Sequence, residues 1–353
     1  MAITAHLRDS VRLPGGGALV HGRALESRAG AAHRALLRTG HGLEVHRLDD
    51  VLAGERAPAV FPPPWPEGEH GVPSVSPDGS FAVFPGRHAV RAVGRGGETL
   101  WEYRHGGHGA ESGHPRGADG PGAGRGHGSC RVSDDGRVVW AHVLPAPHRP
   151  DDPEHRVVLD ARDGRELARL PLPDSAAAGS EHLAHPDGRH VGLCVGMGQD
   201  GVLVHWARWD GAELTGRQLG RDLDRLLADV PPGPPGFLTV DQYGADLGLH
   251  APDGTVVARR EPEPPADDED PPCWDHGCGF VDADTVIAST IDSDGDPDRA
   301  RHWLLDARTL EIRGVVRYPD GPVDSYVRPL GDGTWLTYDD ARGTLDRWSA
   351  AEA

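Results

Sequence analysis

The chain has 353 residues, of which 36 are basic and 55 acidic, giving a formal net charge of −19. Every basic residue is arginine, and lysine and asparagine are absent, so neither Schiff-base lysine chemistry nor a Walker-type phosphate lysine is available. So acidic a chain without a basic stripe repels phosphate backbones, which excludes nucleic acid as an expected partner.

The opening segment, MAITAHLRDSVRLPGGG, has no basic region followed by an apolar stretch. No run of 18 apolar residues follows anywhere, so no membrane partner and a cytoplasmic location are expected. Within that opening, Ile3–Val11 alternates as a strand. Residues 11–60 or so form the first repeat, the least regular one. The second repeat is the clearest. Val72–Ser76 reads as a strand, Pro77–Asp78–Gly79 as a tight turn, Phe81–Phe84 as a second strand, His88–Val93 as a third and Thr99–Tyr103 as a fourth. Apolar alternation on both sides of an Asp-Gly turn is a hairpin signal. The third, fourth and sixth repeats carry it as CRVSDDGRVVWAHV, HLAHPDGRHVGLCV and FVDADTVIAST, and the seventh as VRPLGDGTWLTYD. In the fifth, PPGPPG stands before FLTVDQ, and residues 220–229 read as a short helical turn.

A second hairpin recurs in each unit, in segments starting at 43, 88, 156, 202, 247, 301 and 344. The first of them reads LEVHRLDDVLAG and the third RVVLDARDGREL. Self-similarity at such a period marks propeller blades. The fold expected is therefore all-β: one β-propeller domain over residues 1–353, with seven blades of four antiparallel strands. The last blade ends after a third strand, at Trp348. Pairing of the N-terminal strand with the C-terminal segment closes the ring and removes exposed edges.

VSPDGSFAVF, HPDGRHVGLCV and ARWDG resemble the repeats of bacterial WD40-like propellers, and Trp209–Asp210 matches the signature dipeptide at a third-strand end. The Gly-His element of those repeats is not at its usual distance before the turn. The resemblance implies a toroid in which fourth-to-first and second-to-third loops share one face, and a His/Ser/Trp/Asp hydrogen-bond network within blades. It implies no particular chemistry. Long loops at 104–126, 144–154, 259–272 and 292–300 crowd that face, and such loops on a rigid frame commonly carry function.

One histidine position repeats. His70, His127 and His276 each precede a glycine, and each lies nine residues before the turn glycine or its counterpart Thr285. Inner strands line a propeller's axis, so these three imidazoles could converge on a Zn, Fe or Cu ion, with Asp324 and the Glu181–His182 pair at nearby register. His142 and His205 are candidate outer groups. The opposing reading is that the histidines tie loops to strands. Two functions follow: a binding or scaffold module offering its loop-rich face to a protein or small-molecule ligand, or a metal-dependent lyase or oxygenase acting on a small molecule.

Other signals are weaker. Cys273 and Cys278 flank His276 but lack a second cysteine pair for zinc. Gly196, Gly198 and Gly201 spell a dinucleotide pattern, but a strand-like segment follows instead of a helix, so a hairpin loop is expected. Asp292–Asp298 resembles a calcium loop with its glycine misplaced.

Overall fold

The computed structural model describes residues 1–13, 19–20, 25–28, 31–55, 58–65, 71–106, 128–144, 153–173, 179–198, 201–219, 224–263, 272–291, 300–319, 321, 323 and 326–350. Strand β1 (Ala2–Arg12) comes first. One sheet then follows in chain order: β2 (Leu25–Arg28), β3 (Ala31–Thr39), β4 (Gly42–Arg47) and β5 (Ala59–Phe61). Helix α1 (Leu48–Leu52) lies between β4 and β5, where the sequence suggested a plain hairpin. Leu48, Val51 and Leu52 are buried, so apolar burial of one face converts the turn into a helical one.

The next sheet is β6 (Ser74–Val75), β7 (Phe81–Pro85), β8 (Ala89–Gly94) and β9 (Thr99–Arg104). After it come β10 (Cys130–Val132), β11 (Val138–Val143), β12 (Glu154–Asp160) and β13 (Glu166–Leu172). A fourth sheet holds β14 (Gly179–Ala184), β15 (His190–Gly196), β16 (Val202–Trp209) and β17 (Leu214–Gln218). A fifth holds β18 (Arg225–Asp229), β19 (Phe237–Asp241), β20 (Leu247–His250) and β21 (Val256–Arg260). Strand β18 corrects the helical turn expected over 220–229. Arg225 and Leu227 are buried and pair with β19, so sheet packing overrides the helix-like spacing.

The remaining strands are β22 (Cys273–Phe280), β23 (Thr285–Ile291), β24 (Arg301–Asp306), β25 (Ile312–Arg317), β26 (Arg328–Pro329), β27 (Thr334–Asp339) and β28 (Thr344–Ala350). They form one sheet in the order β22-β23-β24-β25-β1-β28-β27-β26. Strand β1 joins its halves: Ala5–Arg12 runs antiparallel to β28, and Ala2–Thr4 runs parallel to β25. The N-terminal strand thus supplies the outer strand beside the C-terminal one, as the sequence indicated.

The turns explain why the sheets recur. Asp78, Asp135 and Asp187 each accept the backbone N–H two residues on, at 3.0, 3.0 and 2.8 Å. Gly79, Gly136 and Gly188 take φ of +66°, +71° and +68°, a region open to glycine. β15 and β16 run antiparallel with Gly196 opposite Val202, and the Met197 N–H meets the Gly201 carbonyl at 2.8 Å, so a strand and not a helix follows the glycine pattern; residues 199–200 lie outside the described residues. Apolar faces of adjacent sheets interlock: Val83 and Val90 pack with Val132, Val139 and Val157. Likewise Leu238 and Val240 pack with Phe280 and Val286.

Candidate functional site

First strands of all these units face a common axis. Val72 and Ser129 form a parallel bridge there, so neighbouring first strands run in the same direction. Between them lies a cavity of about 420 Å³. Its wall includes Pro186, Pro232 and Gly331 from first-to-second-strand connections, so it reaches the end opposite the N-terminal mouths of those strands.

Charge is built into the wall. Glu26 on β2 accepts a hydrogen bond from Ser74 Oγ at 2.7 Å and faces Arg131 Nη1 of β10 at 2.9 Å. Arg131 Nη2 lies 3.6 Å from Asp134. Both members of the pair are buried. Ser74 Oγ also accepts the Val132 N–H at 3.0 Å, so three consecutive first strands are tied at one point. Asp229 on β18 accepts the Phe280 N–H of β22 at 2.7 Å. Arg328 on β26 donates to the Leu25 carbonyl at 3.3 Å, linking the last unit to the first.

At one end of the cavity, Asp332 meets Arg347 Nη2 at 2.6 Å and His33 Nε2 at 3.3 Å. Arg347 Nη1 also reaches Asp49 at 3.2 Å. Burial opposes ionisation of Asp332, but bonds from His33 and Thr334 and the Arg347 charge hold its carboxyl well below the usual range. In all, the wall carries Glu26, Asp49, Glu181, Asp229 and Asp332 against Arg131, Arg328 and Arg347.

The histidine register fares differently. His70, His127 and Asp324 lie outside the described residues. His276 is exposed, with Nε2 at 3.2 Å from the Gln242 carbonyl. His182 turns toward the β10–β13 sheet, its Nδ1 at 2.8 Å from Ser129 Oγ, and burial pushes its pKa well below the ordinary histidine value. Glu181 follows the opposite side of the same strand, as strand alternation requires. Among the described residues no group of three or more His, Cys, Asp or Glu side chains is placed to hold a metal ion. Cys273 and Cys278 on β22 form no disulfide, and Cys278 is packed in an apolar cluster. Most of loops 104–126, 144–154 and 259–272, and the acidic loop at 292–299, also lie outside the described residues.

Sequence reading did not single out Glu26, Arg131 or Arg328. A charged residue inside the short apolar run of a first strand, as Arg131 is between Cys130 and Val132, was the available signal.

Radial four-stranded sheets about an axial cavity, closed by the N-terminal strand, define a β-propeller. No protein-family model matches the chain, and no curated protein matches its sequence. Among solved structures, the chain is similar to the β-propeller domain of Cps50 (Swd1) from Myceliophteria thermophila. The TM-score is 0.50 and the identity 10%, over 93% of this chain and 96% of that one. At that identity the likeness carries the fold, a WD40-type propeller. Trp303 and Trp348, on third strands, donate to Thr290 and Thr337 on second strands at 3.0 and 2.8 Å. Asp210 of the Trp-Asp dipeptide accepts the Ala212 and Glu213 N–H groups.

Proposed function

We propose that the protein is a binding module: one seven-bladed propeller domain over residues 1–353, cytoplasmic, whose axial cavity takes a positively charged group. The eight-stranded sheet counts as two blades divided at β1, which with the five four-stranded sheets gives seven. The four cysteines form no disulfide, which suits a reducing compartment.

One observation carries the reading. A cavity of about 420 Å³ at the axis presents five carboxylates and three guanidiniums beside apolar Leu25, Cys130 and Phe280. Such a volume suits a small molecule or one partner side chain. The excess of acid in the wall, within a chain of net charge −19, favours an ammonium or guanidinium and speeds its approach. The ligand is a small organic cation or an arginine or lysine side chain of a partner protein.

Calorimetric titration with L-arginine amide tests this. Wild type binds it, and Glu181→Gln weakens binding about tenfold, the worth of one charge-assisted hydrogen bond. Absence of binding, or equal affinity in the variant, rejects the cavity as the site.

A further inference from the structure

The contact between the β10–β13 and β14–β17 blades is built in layers. Toward one end, Trp140, Val158, Val191, Ala207 and Trp209 form an apolar layer. Toward the other, Leu172, Leu193, Val195 and Leu203 form a second one. Between them the layer is polar. Strand register sets His142 beside Arg156 in one blade, and His182, Leu193 and His205 in one row of the other. Arg156 is 0% exposed, His142 2%, His205 4% and His182 8%.

Most of this layer is satisfied internally. Ser129 Oγ lies 2.8 Å from His182 Nδ1 and 2.9 Å from Ser180 Oγ. Ser180 Oγ lies 2.9 Å from His142 Nδ1, and His142 Nε2 lies 2.9 Å from Glu154 Oε2. Glu154, the carboxylate two residues from Arg156 on β12, is therefore engaged by His142.

Arg156 is not satisfied. A guanidinium has five N–H donors. Here Nη1 reaches the Val191 carbonyl at 3.5 Å and Nη2 the His205 carbonyl at 3.3 Å, both long. Nε has no partner, and no carboxylate pairs with the group among the described residues. Burial lowers the guanidinium to about 9, so it remains charged at neutral pH. His182 Nε2 and His205 Nε2 are buried without a partner as well. Burial first, and the Arg156 charge second, keep both rings neutral. Each hydroxyl has a single proton: with His142 Nε2–H on Glu154 and His142 Nδ1 accepting from Ser180, Ser129 donates to Ser180 and accepts Nδ1–H of His182, so His182 Nε2 is an acceptor. A buried cation and two orphaned imidazole nitrogens thus share one layer between two apolar ones. A fully buried charge is unfavourable unless a counter-charge meets it.

We propose that this layer is a binding site for a small monovalent anion of halide size, held by the Arg156 N–H groups and by Nε2–H of His205. The anion neutralises Arg156 and locks the two blades together. It sits behind His182 as seen from the axial cavity, and failure of this proposal leaves the cation-binding reading untouched.

The test is thermal unfolding of the full chain, dialysed into sodium gluconate and titrated with sodium chloride, bromide or formate at constant ionic strength. A ligand that binds only the folded state raises Tm with concentration. The expected result is a rise of about 2–4 °C with chloride or bromide that grows with the logarithm of concentration above Kd. Response to formate and not to halide would assign the site to a carboxylate and overturn the halide proposal. Arg156→Met should abolish the dependence while circular dichroism still reports a folded β protein. Should that variant fail to fold, His205→Gln should move the onset of the rise to at least tenfold higher chloride. A bromide-soaked crystal gives the direct readout, an anomalous peak between Arg156 and His205. Identical Tm in gluconate and halide, with no bromide peak there, overturns the proposal.

Discussion

Replacing Glu26 by leucine should be among the most damaging single changes at the axis. Glu26 faces Arg131 at 2.9 Å, with both side chains at or below 9% exposure. Its charge also supports Arg34, which Arg131 opposes. Removing the carboxylate takes the nearest counter-charge from Arg131, whose other carboxylate, Asp134, lies at 3.6 Å, and takes the acceptor from Ser74 Oγ. Breaking one side of a buried pair costs about 3–5 kcal/mol. With a urea m-value of about 3 kcal/mol/M, the midpoint drops by roughly 1–1.7 M. The double variant Glu26→Leu/Arg131→Met removes both charges and should return to within about 1–2 kcal/mol of wild type, because replacing a whole buried pair by apolar groups is often near neutral. Urea unfolding of the two singles and the double, followed by tryptophan fluorescence, completes the cycle. Additive losses, with a coupling below about 0.5 kcal/mol, would refute the claim that the pair acts as a unit.

Deleting residues 1–12 removes β1 and bares the edges of both β25 and β28. Size-exclusion chromatography should show dimers and larger species that recede when a peptide of residues 1–12 is added back; a monomeric truncated chain would speak against closure by this strand. Acid should unfold the protein earlier than carboxylate protonation alone predicts. Burial lowers His205 to about 3 and His105 and His250 to about 4, whereas the unfolded chain titrates near 6.5. Below that value the unfolded state binds more protons, so their contribution is full above about pH 6.5 and is lost as pH falls toward 4, at up to about 1.4 kcal/mol per pH unit for each ring. Urea midpoints that stay constant from pH 7 to pH 5 would contradict this.

The repeat was legible because its chemistry is local. An aspartate that caps the N–H two residues on, followed by a glycine with positive φ, specifies the same turn wherever it occurs, and it recurs at Asp78, Asp135 and Asp187. β18 was not legible. Leu223, Leu226 and Leu227 repeat at helical spacing, and only pairing with β19 makes a strand of Arg225–Asp229. Register shows the same limit at the other hairpin. Asp160 and Asp306 both cap the N–H two residues later, yet Gly164 fills the positive-φ position in one and Leu310 in the other. Leu310 tolerates φ of +58° because its side chain is fully buried in the neighbouring apolar cluster. The axial site was hidden for a different reason. Glu26 and Arg131 lie in separate units, and nothing local links them until the ring closes.

The abundance of histidine invites a metal reading, and the interior gives it another use. With no lysine or asparagine in the chain, arginine and histidine share with serine and threonine the buried polar positions that asparagine often takes. A neutral imidazole offers one donor and one acceptor on a flat apolar ring, which suits contacts between sheets. His250 stacks on Phe237 at 4.8 Å and bonds Thr239 Oγ1 at 2.9 Å. His302 Nδ1 pairs with the Tyr318 hydroxyl at 2.6 Å, and that hydroxyl accepts Trp335 Nε1 at 2.9 Å. Fixed charge in the interior then falls to arginine. Three arginines are buried among the described residues: Arg131, Arg156 and Arg225. Arg131 has Glu26 at 2.9 Å, and Arg225 has Asp246 at 2.6 Å. Arg156 is the deepest of the three and lacks a carboxylate among the described residues. The rule that the other two obey is the reason to look for an anion beside the third.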